Sequence, residues 1–396
     1  MPRDLSTELI HHPYRPPAGF EAPQLAVHKA STVIFTDVAA MRTRDWRNKQ
    51  GYTYGLHGTP TTFALEERIA ALEGGRQCVL VPSGLAAIAL VDQALLAQGD
   101  EVLLPDNVYG PSRELARSEL ARWGVTHRLY DPLDAPALAA MIGPRTRLVW
   151  LEAAGSVTME FPDLSGLVGA ARSRGVTTAL DNTWGAGIAF AAFDLGIDIV
   201  MQALTKFPSG GGDVLMGSVT TRDADLHERI KLTHMHLGLG VAGNDAELVL
   251  RSLATLPLRY RAQDTAGRAL ASWLAVRPEV RQVLHPALEG SPGHAHWRAT
   301  CSAAAGLFSV LLDERYTAAQ VDNFVDALRL FRIGYSWAGP VSLVVPYDVA
   351  TMRAGSVRGS AHLRGHLVRF SLGLEAVADL QADIEQALAA AFGSAS

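Results

Sequence analysis

The chain has 396 residues, which is too long for one ordinary hydrophobic core, so we expect two domains or one large α/β domain with an appendage. Hydrophobic residues make up 48% of it and charged residues 19%, a balance that excludes a disordered chain and is typical of a soluble globular protein. The formal net charge of -5 comes without a long basic run, which gives no electrostatic footprint for nucleic acid, so we expect no such partner.

The cysteines and the apolar segments indicate the cellular compartment of the protein. The two cysteines, Cys78 and Cys301, are far apart in the sequence and cannot form a disulfide framework, which favours a reducing cytoplasm. The start of the chain is polar and proline-rich, without the apolar centre of a signal peptide. The most apolar helical stretch, residues 85–97, is interrupted by Asp92 and Gln93 and is too short to cross a bilayer. We therefore expect a soluble, cytoplasmic protein with no membrane partner.

The first 60 residues show little hydrophobic periodicity and many turn-forming glycines and prolines, which predicts an extended arm. Because such an arm cannot form a core of its own, we expect it to pack on another surface, such as a neighbouring subunit. From Thr61 onward, helical spacing alternates with short apolar runs. Helices are expected over residues 63–73, 85–97, 112–123 and 164–174. Strands are expected at residues 78–81, 102–104, 148–151, 177–180, 197–200 and 215–219.

This alternation of strands and helices predicts an α/β fold. The predicted strands are apolar on both faces, which indicates a mostly parallel sheet covered by helices on each side. After about Pro257 the pattern changes to a long helical stretch, residues 259–276, and then to a smaller α+β portion that ends in an amphipathic helix near residues 379–392. We therefore divide the chain into an extended arm (1–60), an α/β domain (61–256) and a C-terminal α+β domain (257–396).

Polar and glycine-rich segments follow the predicted strands. Ligands of an open parallel sheet bind at the carboxyl ends of its strands, so these segments are expected to converge on one site. They are residues 82–85, 107–110, 152–156, 181–184 and 204–206. The first of them opens a helix, and free N–H groups at Gly84 and Leu85 would form a cradle for phosphate. Thr205 would add a hydroxyl to that cradle.

Three side chains in these segments suit one organic cofactor. Lys206, at the sheet edge, can form a Schiff base with an aldehyde if burial or a nearby cation lowers its pKa. Asp181, at a strand end, can keep a pyridinium nitrogen protonated, so that the ring withdraws electrons. Tyr109, at a loop tip, can stack on that ring. Phosphate, aldehyde and pyridinium ring are the parts of pyridoxal 5'-phosphate (PLP), which we therefore expect as the cofactor.

Short motifs spread over residues 54–374 support the same interpretation. They include YGLHGTPT, PSGLAA, QGDEVL, GSVTME, LDNTWGAG, GIDIVMQALTK, YSWAG and VRFSLGLE. Together they resemble the cysteine/methionine-metabolism family of fold-type-I PLP enzymes, and GSVTME and YSWAG are similar to its β-lyase branch. The resemblance implies a PLP-dependent transferase-like fold with a mostly parallel sheet in the large domain. It also implies a homo-oligomer, usually a tetramer of two active dimers.

The same resemblance implies a role for each site residue. Lys206 would carry the cofactor and move a proton at the Cα of the substrate, while Tyr109 would stack on the ring and help to activate the incoming amine. Arg369 would bind the α-carboxylate of the substrate as a bidentate fork, a geometry that suits arginine better than lysine. The other implied contacts are Gly84, Leu85 and Thr205 for phosphate, Asp181 for the ring nitrogen, Ser336 and Trp337 for the substrate, and Tyr54 for the phosphate of a neighbouring subunit.

The reaction implied by the resemblance is an α,β-elimination on a sulfur amino acid. L-Cystathionine would give homocysteine, pyruvate and ammonia. Two enzymatic alternatives remain open: a γ-acting relative (cystathionine γ-lyase or synthase, or methionine γ-lyase) and a broad cysteine-S-conjugate β-lyase. An inactive PLP-fold binding protein is the alternative from another class. The presence of Lys206, Asp181, Tyr109 and Arg369 together argues against it.

Three positions depart from the family pattern. Leu56 stands where relatives have the arginine of a Tyr-x-Arg pair that grips the phosphate, so His57 or an arginine at position 42, 44 or 47 would have to supply the charge. Val341 replaces a glutamate of the family, and Met235 stands where β-lyases often have a tyrosine. These changes leave the chemistry in place but leave the identity of the thiol leaving group open.

The histidine pairs and the second glycine-rich motif do not indicate further cofactors. Residues 11–12, 234–236 and 294–296 each contain two histidines without a third ligand or carboxylate at suitable spacing, so we expect no metal. Residues 238–243 match the pattern G-x-G-x-x-G. A helical segment rather than a strand precedes them, so a dinucleotide site is not expected.

Overall fold

The computed structural model describes residues 4–13, 18–20, 22–47, 49, 51–353, 355–359 and 362–393. The part before residue 60 is mostly irregular, as expected of an arm, but it contains two short helices, α1 (Leu5–Ile10) and α2 (Val38–Arg42). Each begins where an aspartate side chain, Asp4 or Asp37, accepts a hydrogen bond from a backbone N–H of the first turn. A 3-10 turn at Gly55–His57 leads into the larger domain.

The first β-sheet is formed by strands between residues 77 and 221. Its strands are β1 (Gln77–Val81), β2 (Glu101–Pro105), β3 (Thr126–Tyr130), β4 (Thr146–Glu152), β5 (Thr177–Asp181), β6 (Ile199–Gln202) and β7 (Gly217–Thr221). Their spatial order is β1-β7-β6-β5-β4-β2-β3, and β7 runs antiparallel to both of its neighbours while β2 to β6 pair in parallel. The predicted mostly parallel sheet is confirmed, although β6 and β7 begin two residues later than the apolar pattern indicated.

Helices cover both faces of this sheet. They are α3 (Pro60–Glu73), α4 (Gly84–Leu95), α5 (Gly110–Leu115) with a π-helical continuation at Ala116–Leu120, α6 (Ala135–Met141), α7 (Leu164–Arg172), a 3-10 turn at Ala192–Leu195, α8 (Ala224–Leu237) and α9 (Gly243–Leu253). Successive strand residues point to opposite faces. Leu148 and Trp150 therefore pack in the core with α4 and α8, whereas Val149 and Leu151 pack in the core with α3, α7 and α9.

Helix α3 begins three residues earlier than its hydrophobic pattern predicted. Thr59 caps it, because its hydroxyl accepts from the N–H of Thr62 while the side chain of Thr62 bonds back to the N–H of Thr59. Pro60 fits the first helical position, where no N–H is needed. The helix ends at Gly74, whose φ of 73° lies in the left-handed region that glycine adopts without strain.

The second β-sheet lies in the C-terminal part. Its strands are β8 (Val280–Leu284), β9 (Leu307–Leu312), β10 (Arg332–Ile333), β11 (Leu343–Tyr347) and β12 (His366–Ser371), in the order β10-β11-β12-β9-β8. All of these pairs are antiparallel except β10 with β11. The accompanying helices are α10 (Leu256–Leu274), α11 (His294–Thr300), α12 (Ala318–Ala327), α13 (Val349–Met352) and α14 (Val377–Phe392). The fold-class prediction included a smaller α+β portion at the C-terminal end, and this is confirmed.

A separate core holds this second sheet to its helices. Phe308 and Phe370 stack with ring centroids 5.5 Å apart, and Phe324 and Leu380 pack beside them from α12 and α14. Helix α10 begins at Leu256, so the predicted domain boundary between residues 256 and 257 falls at the start of a helix. The division of the chain into three segments stays a prediction. Within the described ranges, no helix is long and apolar enough to cross a membrane.

Candidate active site

A cavity of about 520 Å³ opens at the carboxyl ends of β2, β4, β5 and β6, and residues of the C-terminal part of the chain also line it. Parallel sheets bind their ligands at this edge. The structure brings nearly all the predicted site residues to this cavity. Those that line it are Gly84, Leu85, Tyr109, Asp181, Thr205, Lys206, Ser336, Trp337 and Arg369. Their individual roles stay predictions, but the predicted convergence of separate loops on one site is a feature of the structure.

The amine of Lys206 lies among groups from the C-terminal part of the chain. Its Nζ donates a hydrogen bond to Ser336 Oγ at 2.6 Å and lies 5.5 Å from the ring centroid of Trp337. Burial, followed by the positive charge of Arg369, lowers the pKa of Lys206 to about 8, although Asp181 opposes the shift. A larger neutral fraction makes this amine a better nucleophile and base near neutral pH.

Ser336 links the lysine to Arg369. The Nη2 of Arg369 donates to the carbonyl oxygen of Ser336 at 3.2 Å, while the hydroxyl of Ser336 accepts from Lys206. The backbone of Ser336 has a φ of 90°, a conformation that L residues rarely adopt. Such a conformation persists only where the surrounding structure holds it in place. The buried Nε of Arg369 has no hydrogen-bond partner among the described residues. Because a buried guanidinium group needs partners, this arginine is suited to an incoming carboxylate.

Two carboxylates lie side by side at the ends of neighbouring strands. Glu152 and Asp181 are register partners at the last residues of β4 and β5. Asp181 Oδ1 accepts from the N–H of Thr183 at 2.9 Å, and burial raises the pKa of Asp181 although Thr183 and Lys206 oppose this. Glu152 Oε2 accepts from the N–H of Tyr109 at 2.7 Å. Burial, and then the charge of Asp181, raise the pKa of Glu152 well above its usual value.

Glu152 is a site residue to which the sequence analysis gives no role. It stands there only as the first residue of the segment 152–156. A signal is present in the sequence, because Glu152 directly follows a predicted buried strand and a carboxylate at such a buried edge needs a hydrogen-bond partner. The structure shows that partner to be the backbone of Tyr109.

The start of α4 has the geometry of an anion site. Ser83 caps the helix by accepting from the N–H of Ala86 at 3.1 Å, and the N–H groups of Gly84 and Leu85 have no partner inside the helix. A Cβ atom at Gly84 would lie only 2.7 Å from the Cβ of Ala203, so glycine is required where this turn approaches the end of β6.

The hydroxyl of Thr205 is engaged within the protein. It donates to the carbonyl oxygen of Met216 at 3.2 Å and accepts from the N–H of Met216 at 3.1 Å. These two bonds connect the segment before Lys206 to the chain entering β7. The predicted role of this hydroxyl in binding phosphate stays a prediction, and it would have to be compatible with these two bonds.

Tyr54 and the departures from the family pattern lie elsewhere. Tyr54 is about half exposed and does not line the large cavity. Leu56, His57 and Met235 line a different, small cavity between the arm, α3 and α8, where His57 Nδ1 lies 2.6 Å from Thr53 Oγ1. Within the described part of one chain, these residues do not supply a charge to the predicted phosphate cradle.

Comparison with known proteins adds to this geometry. The family model described as Cys/Met metabolism PLP-dependent enzyme matches residues 6–389. The chain belongs to this family. It is 41% identical to a putative cystathionine beta-lyase of Rhizobium johnstonii over 94% of this chain and 92% of that protein. It is 35% identical to the cystathionine beta-lyase MetC of Escherichia coli K12 over 98% of both chains.

A solved structure of similar fold supports the same family. It is the cystathionine gamma synthase of Xanthomonas oryzae pv. oryzae in complex with aminoacrylate and cysteine, with a TM-score of 0.90 and 29% identity over 100% of both chains. The predicted resemblance to the Cys/Met metabolism family is confirmed, and so are the fold class and the PLP cofactor. The protein is a PLP-dependent enzyme of this family.

The residues around the cavity fit PLP. A helix start with free N–H groups suits its phosphate, a buried carboxylate at Asp181 suits its ring nitrogen, and an amine with a lowered pKa at Lys206 suits its aldehyde. Tyr109 lines the same cavity and is partly exposed to it. These donors, acceptors and charges match the phosphate, the ring nitrogen and the aldehyde of the cofactor.

The lowered pKa of Lys206 predicts a pH dependence of the stability of the cofactor-free protein. Between pH 8 and the ordinary pKa of 10.5, the unfolded chain holds a proton that the folded protein has lost. The free energy of unfolding therefore rises with pH in this window, by up to about 1.4 kcal/mol per pH unit. Below pH 8 the folded protein carries the buried charge, and its full cost lowers the stability. Urea unfolding should show this slope for the wild type and a smaller slope for Lys206→Met. Equal slopes would contradict the prediction.

Proposed function

We propose that the protein is a PLP-dependent carbon–sulfur β-lyase that cleaves L-cystathionine to homocysteine, pyruvate and ammonia. The observation that carries the proposal is the juxtaposition of Lys206, Ser336 and Arg369 in one cavity, with the amine 2.6 Å from the serine hydroxyl. Relatives at 34–41% identity named cystathionine beta-lyase, or putative cystathionine beta-lyase, support the substrate and reaction class.

The side chains of this cavity would divide the work between them. Arg369 would hold the α-carboxylate of the substrate and so orient Cα toward Lys206. Lys206, largely neutral above its pKa of about 8, would accept the Cα proton as a general base. PLP, when bound, withdraws the electron pair that this proton leaves behind. Asp181 would keep the ring nitrogen of the cofactor protonated. The Cβ–S bond would then break, the sulfur would leave as a thiolate that takes up a proton, and water would hydrolyse the remaining enamine to pyruvate and ammonia.

Trp337 favours cleavage on the β side. Its indole ring packs edge-on against Phe207, with centroids 5.6 Å apart, and lies 5.5 Å from the amine of Lys206. A bulky ring held in this way limits the poses of the longer substrate arm. Cleavage on the γ side would need a second proton removal at Cβ, and hence a base that reaches both carbons.

Pyruvate is expected as the dominant keto acid from L-cystathionine, because β cleavage releases pyruvate whereas γ cleavage releases 2-oxobutyrate. Derivatised keto acids separated by chromatography distinguish the two products, with the Lys206→Ala protein as the blank. Mostly 2-oxobutyrate would favour the γ-acting alternative, since similar solved structures include a cystathionine gamma synthase and a cystathionine gamma-lyase. Pyruvate from cystine or S-alkylcysteines but not from cystathionine would favour the broad cysteine-conjugate lyase.

We also propose that the enzyme is a homo-oligomer, a tetramer of active dimers, in which the arm of one subunit reaches the cavity of the next. The arm supports this, because Phe20 and Ile34 expose 63% and 91% of their surface and Tyr54 lies away from the cavity of its own chain. A cytoplasmic location and the absence of nucleic-acid and membrane partners stay predictions from the sequence.

Sharing of the site between subunits predicts complementation. Mixing Lys206→Ala with Tyr54→Phe protein under conditions of subunit exchange should restore part of the activity, because one hybrid site then contains both native residues. Each variant incubated alone is the control, and exchange is checked with differently tagged subunits. A mixture that exchanges subunits but remains as inactive as its components would argue that Tyr54 acts within its own chain or not at all.

A further inference from the structure

A buried charged network holds the loop that leads into α5 and carries Tyr109. Arg353, directly after α13, donates from Nη1 to the carbonyl oxygen of Asp106 at 2.9 Å. Its Nη2 donates to Glu160 Oε1 at 3.0 Å and also contacts the hydroxyl of Thr158. The other oxygen of Glu160 accepts from the Nδ2 of Asn107 at 3.0 Å. Asp106 and Asn107 are thus both tied to one Arg–Glu pair.

The members of this network are charged although they lie in the interior. Arg353 and Glu160 are 5% and 1% exposed. Burial by itself would raise the pKa of Glu160, but the contact with His362 and the charge of Arg353 outweigh it and lower this pKa to about 2. Buried ion pairs of this kind contribute little net stability compared with apolar residues. Here both groups of the pair bond to neighbouring residues of one loop, Asp106 and Asn107, and so restrict the conformations of that loop.

The network leaves the Tyr109 loop little freedom. The N–H of Tyr109 is bonded to Glu152 at 2.7 Å, and the carbonyl oxygen of Asn107 accepts from Ser156 at 2.9 Å. Gly155 lies so close to Asn107 that a Cβ atom there would be 1.8 Å from its Nδ2. The loop is therefore enclosed by the segment after β4 on one side and by Arg353 on the other.

We propose that Arg353 and Glu160 are positioning residues that fix Tyr109 at the cavity, so that the segment after β11 (residues 348–353 and 355–359) controls the geometry of the reaction site. Arg353 also lines the cavity, but its guanidinium is directed to Glu160 and Asp106. The inference deepens the proposed function and rests on it through the role of Tyr109. Both residues act through Tyr109 and take no part in the chemistry itself.

The first test measures the loop without the cofactor and without activity. Hydrogen–deuterium exchange of the cofactor-free protein reports on the N–H groups of Val108 and Tyr109, which bond to Pro105 and Glu152. Arg353→Met should raise their exchange rates roughly tenfold, because the backbone before Tyr109 loses its anchor. Arg128→Met is the matched control: it breaks a bidentate pair with Glu101 at the opposite ends of the strands. Equal effects of the two substitutions on this loop would overturn the proposal.

The second test is a double-mutant cycle on kcat/KM with Tyr109→Phe. Misplacement of a reacting group by about 1 Å can cost up to about a hundredfold, so Arg353→Met should lower kcat/KM by about 10- to 100-fold. In the Tyr109→Phe background the same change should cost much less, because coupled residues do not act additively. Arg353→Lys, which keeps the charge, should recover part of the loss. Effects that simply multiply would show that Arg353 acts independently of Tyr109.

A second variant tests the proposal if Arg353→Met fails to fold. If Arg353→Met does not fold, the double variant Arg353→Met/Glu160→Gln removes both charges of this ion pair, so that neither of the two is left buried without the other. It should show the same faster exchange around Tyr109, and native exchange there would contradict the proposal. The exchange experiment also separates this inference from the proposed function. A wild-type enzyme that makes no pyruvate from cystathionine would reject the substrate assignment while the exchange result still decides the role of Arg353.

Discussion

Replacing Lys206 with alanine is expected to lower kcat by at least about 10⁴-fold, the upper end of the contribution of a positioned general acid–base group. The physical reason is that the amine of Lys206 lies in the cavity with a pKa of about 8 and is held by Ser336. The measurement is the steady-state release of keto acid by enzyme saturated with PLP. The far-ultraviolet circular dichroism spectrum should remain that of the wild type.

Lys231 offers a matched control for this substitution. Burial also lowers its pKa, but it lines the small cavity beside the arm rather than the large one. Lys231→Ala should therefore retain most of the activity. Reducing the holoenzyme with borohydride and mapping the labelled peptide should place the pyridoxyl group on Lys206. A label on any other lysine would reject the assignment even if Lys206→Ala is inactive.

Replacing Arg369 with lysine is expected to raise KM by roughly 10- to 100-fold, while the absorbance spectrum of the bound cofactor stays normal. Lysine keeps the positive charge but loses the planar fork, and hydrogen bonds to a charged group are worth about 1.5–3 kcal/mol. Arg369 is buried in the cavity wall and its Nε has no partner among the described residues, so a carboxylate would complete its hydrogen bonding. Initial rates over a range of L-cystathionine concentrations give KM and kcat separately.

Arg268→Lys controls for the general effect of exchanging an arginine. Arg268 pairs with Asp264 at 2.8 Å on α10 and does not line the cavity, so its substitution should leave KM near the wild-type value. If Arg369→Lys also leaves KM unchanged, Arg369 is a structural residue and another group holds the α-carboxylate. A fall in kcat without a change in KM would instead indicate that the arginine acts only in the transition state.

The sequence is most informative where function depends on local order along the chain. Lys206, Asp181 and Tyr109 each follow a predicted strand of a parallel sheet, and such strands end at one edge, so the order of residues alone predicts their convergence. Helix and strand ends are predicted less accurately. The capping by Thr59 and Pro60 moves the start of α3, and the last two strands of the first sheet begin later than their apolar runs.

By itself, therefore, the sequence determined the α/β class, the PLP family and the residues that converge on the cofactor site, because strand periodicity and short motifs are local properties. Only the tertiary structure decided the partners of those residues. Ser336 contacts Lys206 across 130 positions and Arg353 contacts Asp106 across 247, while the hydroxyl of Thr205 is bonded to Met216. Such contacts depend on how distant segments pack and on what burial does to each charge, and neither property is encoded in a local pattern of residues.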